Sequence, residues 1–136
     1  MYHLKLYLCM LLAFVASDMV WLGLVARGFY REHLGYLLRP DPNWAAALVF
    51  YLLFVAGLLV FVVVPGLRAG SARKVLGLGA LFGLITYATY DLTNLATVRD
   101  WPWLVSVVDL AWGSFLGAAV SYLGFRAGRR LRQPSA

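Results

Sequence analysis

Hydrophobic residues in this chain come in long unbroken runs, not in a stripe repeating every 3.6 positions. Each run therefore reads as a helix with apolar surroundings on all sides. Four runs are long enough to cross a hydrocarbon layer of about 30 Å: residues 4–26, 44–64, 75–97 and 103–125. The first imitates a cleavable signal, with Lys5 ahead of an apolar stretch and the small residues Val15-Ala16-Ser17. Its apolar stretch continues from Met19 to Ala26, too far for a signal peptide, so it is read as a retained span.

The connections carry the polar residues. Between the first two spans, residues 27–43 predict a short helix lying in the membrane interface. Phe29, Tyr30, His33, Leu34, Leu37 and Leu38 share one face, Arg27, Arg31 and Glu32 point outward, and Pro40 and Pro42 end it. His33 stands alone and reads as a surface hydrogen-bonding group. Pro65-Gly66 is expected to end the second span. Gly79-x-x-x-Gly83 in the third and Gly113-x-x-x-Gly117 in the fourth permit close helix contact, within one chain or between copies in a homo-oligomer. A tight turn over Val98–Pro102 joins these two spans, with Trp101 and Trp103 suited to the interface. A basic tail, 126–136, follows, and its last residues are expected to be unstructured. The fold class is all-α: one membrane domain over residues 1–136, a four-transmembrane-helix bundle with an interfacial helix between helices 1 and 2.

Composition sharpens this picture. Of 136 residues, 62% are hydrophobic and only 13% charged, and the mean hydropathy is +0.77, which excludes an ordinary soluble domain. The net charge of +6 sits at span ends, so it reads as a topology signal and not as a nucleic-acid surface. Lys5, Arg68, Arg73, Lys74, Arg126, Arg129, Arg130 and Arg132 fall on one side, against Arg27, Arg31, Arg39 and Arg99 on the other. That imbalance predicts both termini in the cytoplasm. Cys9 is the only cysteine. No disulfide within the chain and no Cys/His metal spacing follow from it, and nothing in the chain names a cofactor.

The candidate chemistry lies in Tyr87-Ala88-Thr89-Tyr90-Asp91-Leu92-Thr93-Asn94, inside an otherwise apolar span. An ionisable residue there is costly and marks a functional candidate. With the spans oriented as above, Asp18, Asp91 and Asp109 all fall about 10 Å below the outer boundary, and Tyr51 shares their layer. Helical spacing adds Trp21, Tyr87, Tyr90, Asn94 and Trp112. No Lys, Arg or His lies at that depth, and three close carboxylates in low dielectric cannot all stay ionised. They either bond to Tyr, Thr and Asn, exchange protons as a coupled group, hold a cation or amine with aromatic help, or serve as general acid or base on a lipid-borne substrate. Thr86, Thr89, Thr93 and Thr97 either line a polar path or bond back to helix carbonyls. Phe50, Phe54, Phe61 and Phe82 read as packing or lipid-facing residues.

These strings resemble a known family. Tyr87-Ala-Thr-Tyr-Asp-Leu-Thr-Asn94, then Trp101-Pro102, then Asp109-x-x-Trp112-Gly113 are similar to a family of small bacterial membrane proteins classified as a domain of unknown function. Asp18-x-x-Trp21-Leu22-Gly23 with Phe29-Tyr30, and Phe50-Tyr51 followed by Pro65, extend the likeness. The resemblance implies a multi-pass protein of the bacterial inner membrane with about four helices, and it implies no catalytic residue or cofactor.

The residues then support a binding or transport module in contact with the lipid bilayer. Its site would be Asp18, Trp21, Tyr51, Tyr87, Tyr90, Asp91, Asn94, Asp109 and Trp112, taking a proton, a cation or a small amphipathic, lipid-like ligand. The alternatives are a lipid-modifying membrane enzyme or its accessory subunit, with Asp91 and Asp109 as acid and base, and a structural or assembly protein.

Overall fold

On each of three long helices the buried positions follow one another nearly every four residues, and on each of them the series includes an aspartate. The computed structural model describes residues 1–132; the unstructured end expected of the tail lies outside the described residues. Helix α1 is Tyr2–Val25, and α3, α4 and α5 are Trp44–Ala69, Ala72–Thr97 and Trp103–Arg132. All four are long and apolar enough to span a membrane. A short helix, α2, covers Arg27–Leu34. No strand occurs among the described residues, so the chain is an all-α polytopic bundle.

The buried stripe of α1 is Leu6, Met10, Phe14 and Asp18. That of α4 is Val75, Gly79, Gly83 and Asp91. Helix α5 is the most enclosed and carries Asp109 between Val105 and Gly113 on its buried face. The stripes meet in a core of Leu6, Met10, Phe14, Phe54, Leu58, Val62, Val75, Leu116, Val120 and neighbours. A second, smaller cluster joins Leu34, Trp101 and Val105, flanked by Phe29, Tyr30 and Val98. The aspartates occupy the level between these two apolar masses.

Helices α4 and α5 pack backbone to backbone. A Cβ on Gly83 would overlap the Gly113 carbonyl oxygen, and one on Gly79 would lie 2.6 Å from that of Gly117. The two small-residue faces therefore pair within one chain. This contact fixes an antiparallel register, in which four residues up α4 match four residues down α5. Tyr87 comes opposite Asp109, and Asp91 comes opposite Val105 and Ser106.

Three expectations need correction. The second span does not stop at Pro65-Gly66. A wide π-helical turn, Leu59–Val63, opens the helix ahead of the proline ring, and α3 runs on to Ala69. Gly70, at φ 62°, ends it in the left-handed conformation. Ser71 then caps α4 by accepting from the Lys74 N–H at 3.1 Å. The loop helix ends at Leu34, ahead of Pro40, and Leu37 and Leu38 are exposed. The basic residues Arg126 to Arg132 are helical, as the last turns of α5.

The glycine contact makes a signed prediction. Gly83→Ala should cost about 1–3 kcal/mol, because the clashing atom is backbone and cannot step aside. Gly77→Ala, which meets nothing within 4 Å, should be neutral or stabilising by about 0.5–1 kcal/mol. Thermal unfolding of the purified variants in detergent checks the pair, and equal effects would sink the packing argument.

Candidate functional site

The site is assembled by local geometry at the end of α1. After Asp18 the helix widens into a π turn, Trp21–Val25, closed by the Ala26 N–H donating to the Trp21 carbonyl at 2.7 Å. Buried Ala26 leaves the helical region at φ −106° and starts α2. The chain thereby folds α2 back over the bundle, with Leu34 set against Trp101 and Val105. This is docking onto protein, so α2 serves as a lid on the carboxylate layer. Arg27, Arg31 and Glu32 are exposed on its outer side, as the spacing implied. His33 bonds the Phe29 carbonyl at 2.9 Å through Nδ1 and stays out of the layer.

The lid delivers Tyr30. Its hydroxyl donates to Asp109 Oδ1 and accepts from Trp21 Nε1 at 3.1 Å. Burial, and then the Asp109 carboxyl, push the Tyr30 hydroxyl far above its ordinary range, so it remains a donor at any physiological pH. Trp21 stacks flat on Trp112, with ring centres 4.4 Å apart and planes 6° from parallel. On the other flank Tyr51 donates to Asp18 Oδ2 at 2.7 Å. Tyr87 stands between, half-buried and within electrostatic reach of all three aspartates.

Asp91 is different. It is 0% exposed, and neither carboxyl oxygen has a hydrogen-bond partner among the described residues. Its immediate titratable neighbour is Asp109, another acceptor. Among the described residues, no basic side chain acts on any of the three aspartates. The Trp112 indole N–H, also buried and unpartnered, lies near Asp18. The polar company expected around Asp91 does not bond to its side chain. Instead Ser106 Oγ, which accepts from Trp101 Nε1 at 3.1 Å, donates to the Asp91 main-chain carbonyl at 3.2 Å.

Of the nine sequence candidates, Asp18, Trp21, Tyr51, Tyr87, Asp91, Asp109 and Trp112 come together. Tyr90 is 58% exposed and packs edge-on against Trp101. Asn94 is half-buried, and its recorded bond is a main-chain one, from Val98. The threonine row resolves toward helix carbonyls: Thr86, Thr89, Thr93 and Thr97 each donate to the carbonyl four residues back. In the sequence Tyr30 is only one apolar position of an amphipathic turn. Its place in the layer depends on a fold-back at Ala26 that spacing does not encode. Among the described residues, no group of three His, Cys, Asp or Glu side chains converges on a point where a metal ion would sit.

Helices of spanning length around a buried carboxylate layer define a polytopic α-helical membrane protein. The chain belongs to the family described as predicted membrane protein (DUF2177), whose model matches residues 3–126, in agreement with the resemblance noted in the sequence. It is also similar to the fluoride-specific ion channel FluC 2 of Parasynechococcus marenigrum, at 35% identity over 115 residues. That match covers 82% of this chain and 76% of the channel. No solved structure matches the chain.

The hydrogen-bond inventory predicts opposite signs for two conservative changes. Tyr30→Phe leaves a buried carboxyl oxygen without its donor and should cost about 1–3 kcal/mol. Asp91→Asn supplies Asp109 with an N–H donor and should leave stability unchanged or raise it. Melting temperatures in one detergent decide it, and a large loss in Asp91→Asn would mean that the carboxyl has partners this layer does not contain.

Proposed function

We propose that this protein is a small transport module of the bacterial inner membrane, both termini cytoplasmic, and that the ion its carboxylate layer handles is a proton. The observation that carries the reading is Asp91, fully enclosed with two unpartnered oxygens beside Asp109. Two adjacent acceptors in a low-dielectric site repel, and a proton shared between them gives each the partner that the surrounding protein withholds. Tyr30 then connects the pair to the lid side, and Tyr87 bridges toward Asp18 and Tyr51.

A proton suits the layer better than the other two ligands. Asp18 and Asp109 are each 7% exposed, so little of either carboxylate is open to a bulky amphipathic molecule. The carboxylates do not converge as a metal cation needs.

A second reading comes from the similarity to a fluoride-specific ion channel. An ionised carboxylate repels a halide, whereas a protonated one, with tyrosine hydroxyls and indole N–H groups, donates to it. Under this reading fluoride passes only when the acids carry protons.

Proteoliposomes separate the two. With a pH gradient and no fluoride, an entrapped pH dye should report protein-dependent proton entry. Asp91→Asn and Asp109→Asn should bring it to the protein-free background, while Thr93→Val, on the exposed face of α4, should not. Fluoride efflux at an electrode that needs low pH in the wild type but not in Asp91→Asn with Asp109→Asn, and no proton entry without fluoride, would overturn the proposal in favour of the second reading.

A further inference from the structure

The bundle's second chemical feature lies at the opposite end from the lid. There the start of α1, the turn between α3 and α4 and the end of α5 converge. The Tyr2 hydroxyl donates to the Gly128 carbonyl at 2.9 Å, and Leu67 packs where a side chain on Gly128 would stand. This end carries Lys5, Arg68, Arg73, Lys74, Arg126, Arg129, Arg130 and Arg132. The chain's six acidic residues are Asp18, Glu32, Asp41, Asp91, Asp100 and Asp109, and every one belongs to the layer or to the lid end. The basic end therefore has no carboxylate side chain of its own to balance it.

A groove of about 570 Å³ opens at this end between α1 and α5. Its walls are apolar, including Cys9, Met10, Leu123 and Leu131, and Arg126 and Arg130 stand on its rim. The two arginines are four residues apart and so share one helix face. Arg129 lies over the Phe125 ring, Arg132 over the Tyr2 ring and Arg126 over the Tyr122 ring; of these arginines and Arg130, Arg126 and Arg130 line the groove. The Arg126 guanidinium is steadied by the Tyr122 hydroxyl at 3.0 Å.

We propose that this groove binds an anionic phospholipid, with the phosphate headgroup between Arg126 and Arg130 and an acyl chain against Cys9, Met10, Leu123 and Leu131. The occupant must be anionic at one end and apolar along its length, which is the chemistry of such a lipid at a membrane's basic face. A second copy of the chain brings its own uncompensated arginines, so charge disfavours it. The site is separate from the carboxylate layer and does not depend on what that layer transports.

Cys9, exposed and on the groove wall, is a built-in reporter. The test is the rate at which N-ethylmaleimide alkylates Cys9 in the purified full chain in neutral detergent. Dioleoylphosphatidylglycerol should slow the reaction saturably, and dioleoylphosphatidylcholine should not. Arg126→Gln with Arg130→Gln should weaken the apparent affinity for phosphatidylglycerol about 30-fold, as expected for two charges near an anionic headgroup. Arg68→Gln with Arg73→Gln, at the same end but off the groove, should leave it unchanged. Equal protection by phosphatidylcholine, or by inorganic phosphate alone, would overturn the proposal. So would equal weakening in the Arg68/Arg73 variant, which would indicate diffuse charge. Protection that follows protein concentration, with Cys9–Cys9 cross-links on oxidation, would assign the groove to a second copy.

Discussion

The contact on which this molecule depends is the backbone approach of α4 to α5 at Gly79, Gly83, Gly113 and Gly117. With the Gly113 carbonyl oxygen occupying the place where a Cβ on Gly83 would stand, the two helices cannot slide past one another without losing the fit. In a membrane, where lipid solvates apolar side chains as well as protein does, such close packing is a main source of helix association. It also has a chemical consequence. The register that interlocks the glycines carries Asp91 to the level of Ser106, one turn from Asp109, so a packing device brings two acids into each other's reach.

The second constraint is the balance of donors and acceptors in the layer so created. Tyr30 and Tyr51 each donate one hydroxyl hydrogen bond to a carboxylate, and among the described residues the Asp91 carboxyl receives none. Aspartates that continue the buried stripes of α1, α4 and α5 cost stability and are matched by imported donors at only two of the three positions. Such residual dissatisfaction is characteristic of a site kept for its chemistry. The lid matters for the same reason: the break at Ala26, directly after the π turn, folds the chain back and delivers Tyr30.

Charge is sorted along the bundle as sharply as polarity is. Acids occupy the layer and the lid end, where Arg27, Arg31, Arg39 and Arg99 also lie, and every charged side chain of the other end is basic. A soluble protein would mix the two signs to form surface pairs. In a membrane protein the two ends face different surroundings, and basic side chains gathered at one end follow the pattern of a topology signal.

Much of this was legible without coordinates. Long apolar runs forced membrane helices, since lipid offers backbone groups no partner but their own helix. Seven of the nine residues named around the site do gather, because aspartates at similar distances from span ends must fall at similar depth. The rotation of each helix was not legible, so Tyr90 and Asn94 were grouped with Asp91 although neither bonds to it. The π turns were hidden too, as a single wide turn leaves no mark on hydropathy. One of them carried α3 past Pro65, and the other leads into the break at Ala26 that brings Tyr30 to Asp109. The sequence by itself determined that there are four spanning helices and three acids at one level, because those follow from transfer into lipid. Only the tertiary structure decided which acid is left without a partner, because that depends on helix rotation and on contacts such as Tyr30 with Asp109, 79 positions apart.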